Sequence, residues 1–140
     1  MRRLASGPVE VLLILAAALL CLRGQPPPAA PATDCARPAW TLRNIDGDTV
    51  VLRIDLGYGV LIDQVCRIRG VDAPEVTGPE RDRGLAARDW ITKLLPSGEP
   101  IVVDDHGRDK YGRRVADLWH KGSNVANLLV EAGHARRSEP

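Results

Sequence analysis

The amino-acid sequence predicts a mainly β domain of the α+β class, a five-stranded OB-fold barrel with two packed helices. Five short segments with the alternating or β-branched pattern of strands follow residue 38, and turn residues separate them. One segment with helical spacing of apolar residues lies between the third and fourth strands, and a second follows the fifth. This order of short strands and helices is typical of a small closed or partly open barrel.

The five strands are predicted from alternation and from the turns that bound them. Val50, Leu52 and Ile54 occupy every second position, so one side of their strand is apolar. Asp46-Gly47-Asp48 precedes this strand and Gly57-Tyr58-Gly59 follows it, which predicts a turn at each end. We expect the strands, in order, at residues 39–45, from residue 49, at 60–71, at 100–103 and at 114–119.

Two helices are predicted from apolar residues that recur at three- and four-residue spacing. Gly78-Pro79-Glu80 begins the first helix, because proline is favoured at the first helical position, and Pro96-Ser97-Gly98 ends it. Asn124 is the expected N-cap of the second helix, and Gly133 its end. The expected buried stripes are Ala87, Trp90, Ile91, Leu94 and Leu95 in the first helix and Val125, Leu128, Leu129 and Ala132 in the second.

Residues 1–32 are expected to lie outside this domain, which we place at residues 33–140. A basic start, 12 apolar residues at 11–22 and a Pro/Ala-rich segment have the layout of a signal peptide. Twelve apolar residues fall short of the ~20 that span a bilayer, so we expect cleavage and export to the periplasm or the medium. Retention as an N-terminal membrane anchor, with a stiff Pro-rich tether, is the alternative.

The charge of the domain excludes a protein that covers nucleic acid with a general positive surface. The whole chain has 19 basic and 18 acidic residues. Without Arg2, Arg3, Arg23 and Glu10 of the leader, these counts become 16 and 17, for a net charge of −1. A protein that binds duplex phosphates broadly carries a marked positive excess, so any contact with nucleic acid must be local.

Two cysteines, Cys35 and Cys66, remain outside the leader. In an exported protein such a pair suggests a disulfide, which would stabilise the fold by roughly 3–4 kcal/mol on the chain-entropy model. The alternative is that Cys66 is a buried strand residue and Cys35 is free. The chain has no C-x-x-C motif, and His106, His120 and His134 lack paired ligand spacing, so the sequence predicts no zinc site.

The third predicted strand ends in a rigid acidic turn. Arg67 and Arg69 lie two positions apart and are expected to face the same side of this strand. Pro74 restricts its own backbone and that of the residue before it. Asp72 and Glu75 are therefore expected on a stiff turn that can present two acids to one ligand. An ordinary solvated turn is the other interpretation of this short motif.

Four separate pieces of the chain together resemble the thermonuclease family, the staphylococcal-nuclease-like barrels. They are Asp46-Gly47-Asp48-Thr49, Arg67, Asp72-Ala73-Pro74-Glu75 and Asp109-Lys110-Tyr111-Gly112-Arg113. Each is weak alone, but their joint occurrence in this order among five strands is specific, and the resemblance extends from about residue 46 to residue 133.

The resemblance implies a calcium site made by the carboxylates of Asp48 and Asp72 with the backbone carbonyl of Ala73. A hard cation such as Ca²⁺ takes oxygen ligands and tolerates waters in its shell. The family usually has threonine where this chain has Ala73, so a hydroxyl is lost while the carbonyl remains. Asp46 is expected to shape its turn, with a hydrogen bond to a metal ligand as the alternative role.

The resemblance also implies the roles of the residues that act on the substrate. Glu75 would activate or orient the attacking water, and Arg67 and Arg113 would hold the phosphodiester and stabilise the charge that grows on it. Lys110 and Tyr111 would hold a neighbouring phosphate.

The implied function is that of a calcium-dependent nuclease, a monomer without an obligate protein partner, that hydrolyses phosphodiester bonds of DNA. RNA is a further candidate substrate. A non-catalytic OB-type module that binds nucleic acid or a protein is the alternative, and binding of an oligonucleotide without cleavage would favour it.

Overall fold

A closed five-stranded barrel forms the centre of the protein, as the computed structural model shows for residues 33–139. Each strand pairs with two neighbours, so the sheet has no open edge at the site of closure. The predicted fold class is therefore confirmed. The strands of the barrel are β1 (Ala36–Asn44), β2 (Thr49–Asp55), β3 (Leu61–Ile68), β5 (Pro100–Arg108) and β6 (Arg114–His120).

Closure depends on one parallel pairing among antiparallel ones. The order around the barrel is β3, β2, β1, β5 and β6, and β6 then pairs with β3 in parallel from Cys66↔Arg114 to Ile68↔Ala116. Two short strands, β4 (Val71–Asp72) and β8 (Arg136–Arg137), form a separate antiparallel pair. A further short strand, β7 (Ser123–Asn124), extends the sheet beside β6.

Two helices cover the barrel, α1 (Arg81–Leu94) and α2 (Val125–Glu131). A single 3₁₀ turn, Gly78–Glu80, precedes α1 and has proline at its start, as predicted. Asn124 caps α2, because its side chain accepts a hydrogen bond from the backbone N–H of Asn127 at 3.3 Å. The largest fully buried side chains come from the barrel and both helices: Leu52, Ile68, Ile91, Leu95, Ile101, Leu118 and Leu129.

Three strand boundaries differ from the prediction by three residues or more, and the first of them is the start of β1 at Ala36 instead of residue 39. The third strand was expected to continue through residue 71, but β3 ends at Ile68 because Gly70 adopts a left-handed φ of +75°. Val71–Asp72 then pairs with β8. The fourth strand, expected to end at residue 103, continues to Arg108, because β6 supplies a pairing partner for its polar second half and a bulge lies between Asp105 and Arg108.

Both cysteines of the described chain are free thiols, in agreement with the alternative interpretation of Cys35 and Cys66. Cys66 is fully buried and packs in the hydrophobic core, whereas Cys35 precedes β1 and is exposed. Burial raises the pKa of the Cys66 thiol to about 12, and the nearby Asp105 carboxylate adds to this effect. Cys66 is therefore a core residue.

The predicted leader, residues 1–32, lies outside the described residues. Within residues 33–139, no helix combines the length and hydrophobicity that crossing a bilayer requires.

Candidate active site

The turn between β1 and β2 buries a carboxylate. Asp48 is 4% exposed, and its backbone N–H donates to Asp46 Oδ1 at 3.1 Å, so Asp46 shapes the turn as expected. Thr49 Oγ1 donates to Asp48 Oδ1 at 3.0 Å. Asp48 Oδ2 accepts from the backbone N–H of Ala73 at 3.0 Å. Asp48 therefore ties its own turn to the acidic turn that follows β4.

Close packing at Gly47 fixes the distance between these two turns and α1. A Cβ atom at Gly47 would lie 2.7 Å from the Cβ of Ala73 and 2.8 Å from the Cβ of Ala87 in α1. Real Cβ atoms essentially never approach other atoms so closely. The three small residues thus allow the turns and α1 to meet.

Arg67 connects the two acids of the predicted metal site. Its guanidinium lies 3.2 Å from Asp48 Oδ2 and 2.9 Å from Asp72 Oδ1. Strand register explains the arrangement, because β2 and β3 pair Thr49 with Arg67 and so place Asp48 beside this arginine. Burial raises the pKa of Asp48, although the Ala73 N–H and the positive charge of Arg67 oppose that effect. Asp48 is therefore a buried acid that needs positive charge nearby.

Glu75 lies on the acidic turn with its carboxylate exposed to solvent. Its side chain accepts no hydrogen bond from any residue in the described range 33–139. Its backbone, in contrast, is packed against α1, where a Cβ at Gly84 would lie 2.1 Å from the Glu75 carbonyl oxygen. Pro74 beside it is buried. The backbone of the turn is therefore held in place while the carboxylate stays accessible.

The loop between β5 and β6 presents Arg113 to the same region. Asp109 organises this loop, accepting from the backbone N–H groups of Tyr111 at 2.9 Å and Arg113 at 3.0 Å, and from Arg113 Nε at 2.7 Å. Desolvation favours the neutral acid, but the hydrogen bonds from Arg113 and Tyr111 outweigh it and lower the pKa of Asp109. Arg113 Nη1 also donates to Thr49 Oγ1 at 3.4 Å, next to Asp48.

Tyr111 extends from this loop into solvent with 72% of its surface exposed. Lys110 Nζ lies 5.0 Å from the centroid of its ring, and Arg113 Cζ lies 5.4 Å from the same centroid. These are cation–π distances, so the aromatic ring holds two positive groups near each other. Such a surface suits a phosphate with a base beside it.

One open cleft of about 550 Å³ brings seven of the eight predicted site residues together. They are Asp48, Arg67, Asp72, Ala73, Glu75, Tyr111 and Arg113. The eighth, Lys110, lines an adjoining cleft of about 760 Å³ that shares Arg67, Tyr111 and Arg113 with the first. The oxygens of Asp48, Asp72 and the Ala73 backbone form a hard donor set, which suits a divalent cation that prefers oxygen.

A second group of ionisable side chains, which the sequence did not indicate, lies beside this site. Asp104, His106 and Asp117 each offer a ligand atom, and these atoms lie within 4.8 Å of one another. Their spacing along the chain shows no ligand motif, because the register of β5 and β6 brings them together. Asp104 and His106 are two positions apart, as residues on one face of a strand are. A loop was expected at these positions, so this spacing was not interpreted as a shared face.

Comparison with known proteins relates the chain to nucleases. The family model for staphylococcal nuclease homologues matches residues 65–139. A thermonuclease from Staphylococcus intermedius is 31% identical over 147 aligned positions, which cover 97% of this chain and 82% of that protein.

Other relatives share a smaller part of their length. An uncharacterized endonuclease of Escherichia coli O157:H7 is 34% identical over 95 positions, covering 67% of this chain and 56% of the relative. A probable staphylococcal-like nuclease of Oryza sativa subsp. japonica, CAN3, is 30% identical over 69 positions, covering 49% and 17%. The similarity to these proteins therefore concerns a barrel domain that forms only part of the longer relatives.

Proposed function

This chain belongs to the staphylococcal nuclease homologues, and we propose that its nuclease activity is a calcium-dependent hydrolysis of phosphodiester bonds in DNA, with RNA as a second candidate substrate. The observation that carries this proposal is the convergence of two arginines, two acids and Glu75 on one cleft. The relatives support the reaction class, phosphodiester cleavage by a nuclease.

Asp48, Asp72 and the backbone carbonyl of Ala73 would hold the calcium ion. The donor set fits, because all three groups offer oxygen, the ligand atom that calcium prefers. When bound, the ion would neutralise charge on the phosphoryl oxygens.

Arg67 and Arg113 would bind the scissile phosphate. Hydrolysis gathers negative charge on the phosphoryl oxygens, and planar guanidiniums donate paired hydrogen bonds that match a phosphate. Asp109 holds Arg113 at Nε and Thr49 accepts one hydrogen bond from Nη1, which leaves Nη2 and the second N–H of Nη1 able to donate to substrate. The positioned donors would therefore stabilise the transition state more than the substrate.

Glu75 would take a proton from the attacking water or orient it. A general base needs an ionised carboxylate that is close to its water and open to it. Glu75 offers an accessible carboxylate, since its side chain is exposed in the cleft while the backbone of its turn is packed against Gly84. Lys110 and Tyr111 would hold a neighbouring phosphate of the same strand.

The decisive experiment measures cleavage of single- and double-stranded DNA by the purified chain, with calcium and then with a chelator in excess. We expect cleavage that stops on chelation. Glu75→Gln and Arg113→Ala should each lower kcat by about 10²–10³ without a change in folding. Glu131→Gln and Arg43→Ala, which alter exposed residues away from the cleft, are the matched controls. Near-normal turnover in both site variants would refute these roles.

The same experiment tests the alternative of a non-catalytic binding module. Tight binding of an oligonucleotide without metal, together with no cleavage under calcium, magnesium or manganese, would support that alternative. We expect cleavage instead, from a species that light scattering shows to be a monomer.

We also propose that residues 1–32 direct export, with cleavage favoured over retention as an anchor. Support comes from the basic start, the short apolar run and the Pro/Ala-rich segment that follows it. N-terminal sequencing of the protein recovered from cells separates the two outcomes, because an anchored chain keeps the apolar residues 11–22.

A further inference from the structure

Two acids lie opposite each other on the outer side of the barrel, next to the nuclease cleft. The register of β5 and β6 pairs Asp104 directly with Asp117. Like charges at directly opposed positions of neighbouring strands destabilise a sheet. A cation between the two carboxylates would remove this repulsion. A third side chain with a ligand atom, His106, lies two residues from Asp104.

The three side chains already converge. His106 Nε2 lies 2.9 Å from Asp117 Oδ2 and 3.9 Å from Asp104 Oδ2, the latter too long for a hydrogen bond. The Asp104 side chain is only 10% exposed. Its carboxylate accepts no hydrogen bond from the residues the structure describes. A buried carboxylate without a hydrogen-bond donor is costly, so Asp104 is the group that most needs a cation.

We propose that Asp104, His106 and Asp117 form a site for a zinc ion, separate from the proposed calcium site. One imidazole and two carboxylates form a mixed nitrogen and oxygen set, which suits zinc, whereas calcium prefers oxygen ligands only. Ligand atoms on a tetrahedral zinc lie roughly 3.3 Å apart for bonds of about 2.0 Å. The ligand atoms here lie within 4.8 Å of one another, so modest side-chain movement brings them into place.

Arg69 is the competitor for this site. It binds Asp117 through Nη2 at 2.8 Å and through Nε at 3.2 Å, and this hydrogen bonding is the main reason that its pKa is raised. Arg69 and His106 also line the 760 Å³ cleft with Lys110. Zinc bound to Asp117 would weaken the hydrogen bonds between that carboxylate and Arg69. The positive charge of Arg69 would then be less neutralised within this cleft. This last consequence rests on the proposed function, but the zinc site does not.

The test is calorimetric titration of the full chain with zinc chloride while calcium is present in excess and no nucleic acid is added. We expect one zinc ion per chain. His106→Gln, which alters an exposed residue, should weaken zinc binding by at least about tenfold, the loss that even outer-shell changes cause. Asp104→Asn should weaken it similarly, and a cooperative thermal unfolding transition without zinc verifies that each variant is folded.

Three control variants locate the ion. His134→Gln, Cys35→Ser and Asp72→Asn should each bind zinc like the unmodified chain, because they alter another histidine, the exposed thiol and the proposed calcium site. Equal zinc binding by His106→Gln and the unmodified chain would overturn the proposal. Loss of binding in His134→Gln, Cys35→Ser or Asp72→Asn would also overturn it. Since no substrate is present, these outcomes do not depend on whether the chain cleaves DNA.

Discussion

Gly84 in α1 provides the sharpest test of how the fold positions Glu75. In Gly84→Ala the added Cβ would lie 2.1 Å from the carbonyl oxygen of Glu75 and 2.3 Å from its carbonyl carbon. Both are backbone atoms, so no side-chain rotation relieves the contact. The acidic turn or the helix must move instead.

The size of the effect follows from two opposing terms. Alanine is favoured over glycine in a helix by about 1 kcal/mol. Overpacking costs typically 1–3 kcal/mol, and the backbone contact places this site at the upper end. We therefore expect a net loss of about 2 kcal/mol, or a fall of roughly 10 °C in Tm. Moving the Glu75 carbonyl oxygen away from the new Cβ to an ordinary contact distance shifts the turn by about 1 Å. A shift of this size can lower kcat by about 10²-fold.

Thermal unfolding and steady-state DNA cleavage measure the two effects separately. Ala86→Gly is the matched control, because Ala86 is exposed in the same helix and loses only helix propensity, about 1 kcal/mol. It should be destabilised yet keep its kcat. If Gly84→Ala unfolds and cleaves like the unmodified chain, the packing of Gly84 does not position Glu75.

Three further predictions concern the cysteines, the loop of Arg113 and the packing at Gly47. Iodoacetamide should alkylate Cys35 in the native protein but spare Cys66, because burial removes access and raises the pKa of the Cys66 thiol to about 12; peptide mapping after labelling checks this, and rapid native labelling of Cys66 would contradict it. Asp109→Asn should lower kcat/KM by about tenfold, since Arg113 loses its charged partner. The pKa of Asp109 is lowered, so its contribution to stability is complete above the ordinary value of 3.8 and is lost as the pH falls through the lower folded value; unfolding of Asp109→Asn and the unmodified chain should therefore converge in acid, and a constant difference would refute the pairing. Gly47→Ala should lower both Tm and calcium affinity, because its Cβ would clash with two alanine methyl groups; unchanged values would show that the turns have room.

The barrel could be predicted from the sequence because its signals are local. Alternation in β2 and helical spacing in α1 are properties of adjacent residues, and the structure contains both elements. Prediction failed where the partner strand decided the outcome. Residues 104–108 resemble a loop by composition, but β6 pairs with them and makes them a strand. Gly70 in turn divides the predicted third strand, because its positive φ ends β3.

The chemical types of the cleft residues were also readable from the sequence, because the acidic turns and the Asp109–Arg113 loop are short motifs. The sequence did not show that these residues meet in space. Arg67 lies near Asp48 because β2 pairs with β3, and near Arg113 because β6 closes the barrel in parallel at Val115. These contacts join residues that are far apart in the chain.

The sequence by itself thus determined the barrel, its helices and the chemical character of the cleft. Only the tertiary structure decided what lies beside that cleft. The contacts of Gly84 with the Glu75 turn and the cluster of Asp104, His106 and Asp117 arise from packing and strand register. Both depend on which distant residues become neighbours, and local patterns carry no information about that choice.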